Sequence, residues 1–278
     1  MTDWAGLALA LRRPDDDALR SRVPTYVHPL AGRALAWHSL RTLASLEEEP
    51  PPLFLAAEAP LDESVVRDLP VEIVEVDPAD WWSTLAARLD GSVERLLVVD
   101  AAAATLGPTL RKLVSSPGGK VVVGRDGPLA MWIDVADLAE HAVRGATLED
   151  IAADLEVQSL HDPVEDCLVR DRATLARAGV AIRDRIVQRL MEQGATFLLP
   201  ETVLVDVDVQ IGQDTVIYPG VVLEGVTTIG SETVIGPGCR IIDSWVGSGV
   251  ELKGWNYIVG TNIRNRAVLE PYVRRGFD

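Results

Sequence analysis

The chain has 278 residues, 47% of them hydrophobic, and 26 Lys and Arg against 42 Asp and Glu give it a formal charge of −16. That length holds two modest domains or one large one, each with enough apolar residues for a core. The negative field disfavours non-specific binding to phosphate backbones and anionic bilayers. No apolar run approaches the ~20 residues of a membrane span, because Arg12 and Arg13 interrupt the first.

The first part of the chain reads as α/β. Apolar runs of strand length stand at 7–11, 53–57, 71–76, 96–99, 121–123 and 129–133, and helical patterns at 32–46 and 82–89 separate several of them. This alternation predicts a largely parallel sheet. Pro50-Pro51-Pro52 and the stretch 115–119 punctuate it as turns or loops. Residues 170–194 place Leu175, Ala178, Ile182, Ile186, Leu190 and Met191 on one stripe, which predicts a connecting helix that stops at Gly194.

From Leu199 the chain changes period. Aliphatic residues recur every six at Leu199, Val205, Ile211, Ile217, Leu223, Ile229, Ile235 and Ile241, then, after five-residue steps, at Val246, Leu252, Ile258, Ile263 and Leu269. Gly follows the aliphatic residue at Gly212, Gly230, Gly236 and Gly247, and small or β-branched residues follow four places on, as at Thr215, Thr227 and Thr233. Neither a strand of period two nor a helix of period 3.6 explains six. A triangular solenoid does, with one hexad per face, the aliphatic side chain inward and about four coils stacked ~4.8 Å apart. Asn256, Asn262, Tyr257, Cys167 and Cys239 read first as ladder or turn residues. The two cysteines show no metal or redox spacing, and a reduced, cytoplasmic setting is expected. Met1-Thr2-Asp3 gives no basic start to an export signal.

Two stretches carry a resemblance. Val23-Pro24-Thr25-Tyr26-Val27-His28-Pro29-Leu30-Ala31-Gly32-Arg33 is similar to a family segment L-P-K-V-L-H-P-L-A-G-R. Val169-Arg170-Asp171-Arg172, leading through a helix into Ile211-Gly212-Gln213-Asp214-Thr215-Val216-Ile217-Tyr218-Pro219-Gly220, is similar to V-N-D-R followed by I-G-x-D-T-V-I-Y-P-G. Both resemble the bacterial bifunctional N-acetylglucosamine-1-phosphate uridyltransferase/glucosamine-1-phosphate acetyltransferase family, GlmU. The resemblance implies a shortened nucleotidyltransferase-like, Rossmann-like α/β domain over 1–180. A connecting helix and linker over 181–198 and a left-handed parallel β-helix of hexapeptide repeats over 199–278 complete the expected organisation.

The same resemblance exposes replacements. The family's glycine-rich phosphate loop falls on 12–19, where Pro14 removes an amide and Asp15-Asp16-Asp17 add negative charge beside any triphosphate. A solvated loop that caps the next turn is an alternative reading of these carboxylates. The family's phosphate-contacting lysine is Thr25. Of its two magnesium positions, Asp100 fits the first and Arg170 fills the second, so a fixed guanidinium stands where a cation would be and the two side chains are expected to face each other. Asp100 reads equally as a turn residue after a buried strand. Arg274 is the one residue that matches the sugar-phosphate arginine of the acetyltransferase site, and it also reads as a cap on the open solenoid. His28, His38, His141 and His161 have no nucleophile beside them in sequence.

The expected function is that of a degenerate, GlmU-like homologue: a non-catalytic binding, regulatory or assembly subunit of sugar-nucleotide or cell-envelope precursor metabolism. The alternative is a divergent but active sugar-1-phosphate nucleotidyltransferase. No cofactor is expected, or Mg²⁺ at Asp100 if the chain is active. The candidate ligand-binding residues are Asp100, Arg170, Thr25 and Arg274. Expected partners are further copies in a trimer, or a different protein, through the β-helix, with a sugar phosphate or nucleotide sugar as ligand and neither nucleic acid nor membrane.

Overall fold

The computed structural model describes residues 3–11, 19–104, 107–125, 127–143, 148–160 and 167–276. The chain divides into two compact units, Met1–Pro29 with Ala34–Ala178, and Leu30–Arg33 with Gly179–Asp278.

The first unit is built on a seven-stranded sheet in the order Glu156–Gln158, Lys120–Gly124, Gly127–Asp134, Arg95–Asp100, Trp4–Ala10, Leu53–Ala57, Val71–Glu75. Neighbouring strands are parallel except on both sides of Gly127–Asp134, which is antiparallel to each neighbour. The six apolar runs read from the sequence all fall on these strands. Trp4–Ala10 and Leu53–Ala57 are buried at every residue, which is why they read as unbroken apolar runs and not as alternation. Both edge strands carry exposed glutamates, Glu72 and Glu75 on one and Glu156 on the other, charges that discourage pairing with another chain. The helix Leu35–Ala44 packs Leu35, Leu40 and Leu43 inward, and Trp81–Ala86 is a second, shorter helix. Three more helices, Gly107–Val114, Val135–Val143 and Leu148–Ala153, were not read from the sequence.

The second unit begins inside the helix Arg172–Glu192, whose Ile182, Ile186, Val187 and Leu190 share one core with the repeats. Gly194, at φ +102°, ends the chain's run out of that helix. Met191, assigned to the helix's apolar stripe, is instead 41% exposed, because the stripe has turned past the core by the last turn.

Fourteen short strands then form three parallel sheets of five, five and four. Each strand pairs with the one three hexads on, as Ile217 pairs with Ile235 and Ile235 with Leu252. From Val205 to Leu269 the six-residue series is buried throughout. Leu199 is a correction: it is 43% exposed and precedes the 3-10 turn Pro200–Thr202, while Phe197 of the first short strand takes the inward place. A second inward column lies four residues on and holds Val209, Thr215, Val221, Thr227, Thr233, Cys239, Val250 and Asn256. Its polar members bond to backbone: Thr215 Oγ1 donates to Gly230 O at 2.8 Å, Thr233 Oγ1 to Gly247 O at 2.9 Å and Asn256 Nδ2 to Glu270 O at 2.7 Å. Cys239 sits in this ladder, 3.5 Å from Asn256 Oδ1, and burial raises its thiol pKa, so it is a packing residue.

Leu30–Arg33 belongs to this second unit. Ala31 O accepts from Val207 N at 3.0 Å, and Arg33 Nε meets Asp208 Oδ2 at 2.8 Å with the arginine 8% exposed. Gly32, at φ +80°, lies so close to Asp206 that a Cβ would come within 2.7 Å of its Oδ2.

Candidate functional site

Val71–Glu75, Leu53–Ala57, Trp4–Ala10 and Arg95–Asp100 are parallel and adjacent in that order. The chain moves outward from Trp4–Ala10 through two strands, then crosses back to lay Arg95–Asp100 on the other side. Connections therefore diverge between Trp4–Ala10 and Arg95–Asp100, and open α/β sheets take ligands in the crevice outside the carboxyl ends of such a pair.

Asp100 is the last residue of its strand. Its Oδ1 accepts the Ala102 amide at 2.7 Å, as the turn reading expected, and Leu9, Val99, Pro128 and Leu129 line a small cavity beside it. Backbone bonds then carry the chain to Arg170: Ala101 N donates to Leu9 O and Val169 N to Ala102 O, each at 2.9 Å, and Leu168 pairs with Ala103. Arg170 thus leaves a strand held against the turn that follows Asp100. Its guanidinium lies against Gly127, where an added Cβ would be 2.7 Å from Nη2. Gly127, at φ +133°, opens the strand that pairs with Arg95–Asp100. Asp100 and Arg170 are placed at the same end of the sheet.

The backbone around Arg170 is fixed by Thr174. The amides of Arg170 and Asp171 donate to Thr174 Oγ1 at 2.9 and 2.8 Å, while Thr174 N donates to Asp171 Oδ1 at 2.7 Å. Asp171 is the N-cap of the helix Arg172–Glu192, and these bonds from Thr174 hold its carboxyl below the usual range. Arg172 Nε donates to Leu19 O at 3.1 Å. Burial, and next the Arg172 charge, lower the pKa of His28, partly offset by its bond to the Val23 backbone. His28 is 8% exposed, and its Nε2 has no hydrogen-bond partner among the described residues. Sequence reasoning gave Arg172 no role beyond its place in the Val169-Arg170-Asp171-Arg172 match and did not name Gly127. Gly127-Pro128, a turn dipeptide opening an apolar run, was the available signal for the second.

Thr25 is 3% exposed within the single turn Thr25–Val27, and its carbonyl accepts from His28 N at 3.1 Å. Arg274 belongs to the second unit, on the last strand, with its guanidinium 5.7 Å from the Tyr257 ring centre. Asp100, Arg170 and Thr25 fall in the first unit and Arg274 does not. Pro14 and Asp15 to Asp17 lie outside the described residues, as does His161.

These features define a hexapeptide-repeat β-helix joined to an α/β sheet. The family description "Bacterial transferase hexapeptide (six repeats)" matches residues 208–243. Among curated proteins, "Bifunctional protein GlmU" of Thermoanaerobacter pseudethanolicus is 41% identical over 104 residues, covering 37% of this chain and 22% of that protein. The protein of the same name from Limosilactobacillus reuteri is 48% identical over 84 residues, covering 30% and 18%, and that from Acetivibrio thermocellus is 40% identical over 119 residues, covering 42% and 26%. The chain therefore matches about a quarter or less of the length of these relatives. The crystal structure of Rv0371c from Mycobacterium tuberculosis H37Rv superposes with a TM-score of 0.49 at 16% identity, covering 63% of this chain and 96% of that one, a likeness too slight to add to the fold assignment. The chain is GlmU-like over the matched segment, as its repeats and V-R-D-R helix led us to expect. No described helix is long and apolar enough to cross a membrane.

Proposed function

We propose that this chain is a degenerate GlmU-like sugar-nucleotidyltransferase homologue that serves as a non-catalytic binding, regulatory or assembly subunit of sugar-nucleotide or cell-envelope precursor metabolism. The observation that carries the reading is Arg170. A guanidinium fixed against Gly127, at the same sheet end as Asp100, brings a permanent positive charge to the place where the resemblance puts a metal ligand. One Asp100 oxygen already accepts the Ala102 amide. This donor set does not fit a magnesium ion, and no step is derived through one. Thr25, buried and uncharged in place of a phosphate-contacting lysine, supports the same reading.

Purified protein is expected to form no uridyltransferase or acetyltransferase product from glucosamine phosphates above a buffer blank. Magnesium with a nucleoside triphosphate is expected to leave its melting temperature unchanged, whereas a ligand at a hundred times its Kd would add about 2.7 kcal/mol. Product formation that Asp100→Ala abolishes overturns the reading in favour of a divergent active enzyme. What favours that second reading is the place of Asp100 at a strand's carboxyl end beside the switch point.

We also propose self-association as a trimer through the flat sheets of the β-helix, a hetero-complex being the alternative. Support comes from Trp245, 44% exposed on a strand of one of these sheets. Light scattering that gives the mass of one chain at moderate salt rejects the trimer.

A further inference from the structure

One corner of the β-helix changes character over its last two coils. The residue with positive φ there is Gly220 and then Gly238 in the earlier coils, but Trp255 (φ +54°) and Tyr272 (φ +66°) in the later ones. An L-residue enters this region at a steric cost that glycine avoids, and bulky side chains held there often mark function. Both side chains face solvent, 58% and 72% exposed. Trp255 is also held in place: its indole lies across Gly238, with Cε3 2.4 Å from where a Cβ would stand. Two residues further along each coil, Arg240, Tyr257 and Arg274 stack in register, with both guanidiniums 5.7 Å from the Tyr257 ring centre and that of Arg240 also paired with Glu224, at 2.5 and 3.0 Å. Trp, Tyr and Arg are the residue types that dominate binding energy at protein interfaces.

Charge selects the occupant. Residues 251–278 carry five Lys and Arg against three Asp and Glu, a net +2, while the other 250 residues carry 21 against 39, a net −18. We infer that the Trp255–Tyr272 corner of the last coils docks a partner protein presenting an acidic segment. Such a partner is repelled by the rest of the chain and accepted at this end, so the field also orients it. The inference does not depend on whether the α/β unit turns over substrate.

The probe is a displayed library of random peptides, panned on the full chain and counter-panned on Trp255→Gly/Tyr272→Gly. Glycine relieves the positive φ, so this variant is expected to melt no lower than the parent; Trp255→Asn/Tyr272→Asn, also tolerant of that conformation, is the second variant. Enrichment of Asp- and Glu-rich peptides is expected, with affinity at least about tenfold weaker for both variants and falling with added salt. Four results overturn the inference: no enrichment, enrichment of neutral or basic peptides, equal binding by the variants, or a parent oligomer that light scattering shows the variants dissociate.

Discussion

The glycine that follows the inward aliphatic residue is a requirement for space, and Gly230→Ala tests it. A Cβ on Gly230 would lie 2.5 Å from Ser248 N, 2.6 Å from Gly247 C and 2.6 Å from Ser248 Oγ. Two of these atoms are backbone, so no side-chain rotation relieves the overlap. An ordinary contact needs nearly 1 Å more, and the next coil must move away by that much. Overpacking of this kind costs about 1–3 kcal/mol. The displacement also stretches the bond from Gly230 N to Val246 O, now 2.7 Å, and each weakened buried backbone bond adds about 1 kcal/mol. A total loss of about 2–4 kcal/mol is expected, a large part of the ~5–15 kcal/mol that holds an ordinary domain. Gly91→Ala is the control, since a Cβ there meets nothing within 4 Å and its φ is not positive; it should stay within about 1 kcal/mol of the parent. Urea unfolding followed by circular dichroism, read at the transition of the β-helix, compares the two. A Gly230→Ala loss of under about 1 kcal/mol would refute the claim that close approach of coils selects glycine.

Two further outcomes concern pH. His28 has its pKa lowered below 6.5, chiefly by burial and then by Arg172, so the unfolded chain takes up the proton first. Its contribution is complete above pH 6.5 and is lost as pH falls towards the lowered value; His28→Gln should flatten that limb of the melting curve between neutral pH and pH 5, and equal slopes would exclude His28 as its source. Asp206 has its pKa raised above 3.8, first by burial and then by Glu224, Asp208 and Asp243, against the bond it accepts from Gly225. Its charge therefore destabilises the folded state as pH rises through that value. Asp206→Asn should be more stable than the parent at pH 7, with the advantage vanishing below pH 4, and a variant less stable at both pH values shows that the carboxylate is needed for the Gly225 bond.

The β-helix was legible because each hexad repeats the same physical demand. Ile217, Ile235 and Leu252 occupy one column, so a period of six in the sequence is a stack in space. Leu199 failed as its first member because register begins with a strand, Thr196–Phe197, and not with the first aliphatic residue of matching phase. In the α/β unit, fully buried strands announced themselves as apolar runs. The helix Gly107–Val114 did not, since Gly107-Pro108 reads as a turn although proline is well placed in a helix's first turn. The crevice was legible only in part: Asp100 and Arg170 were named from their match to the family's two magnesium positions, but their common placement depends on Val169 bonding to Ala102 across long sequence separation.

In the segment Val23–Arg33 the residues that match the family and Thr25, which does not, answer to different physical demands. The stretch of it that matches the family residue for residue, His28-Pro29-Leu30-Ala31-Gly32-Arg33, contains the residues that bond to the first coil, through Ala31 to Val207 and Arg33 to Asp208. Gly32 is required there by its φ and by its approach to Asp206. Thr25, where the match fails, is the position that the resemblance assigns to phosphate contact. Docking a loop on a β-helix constrains Leu30–Arg33 whether or not substrate is bound, whereas the resemblance ties a lysine at 25 to phosphate contact. A chain that had given up nucleotide chemistry while keeping its architecture would show this division, with the match persisting where backbone geometry needs it and lapsing where charge on a ligand would have needed it.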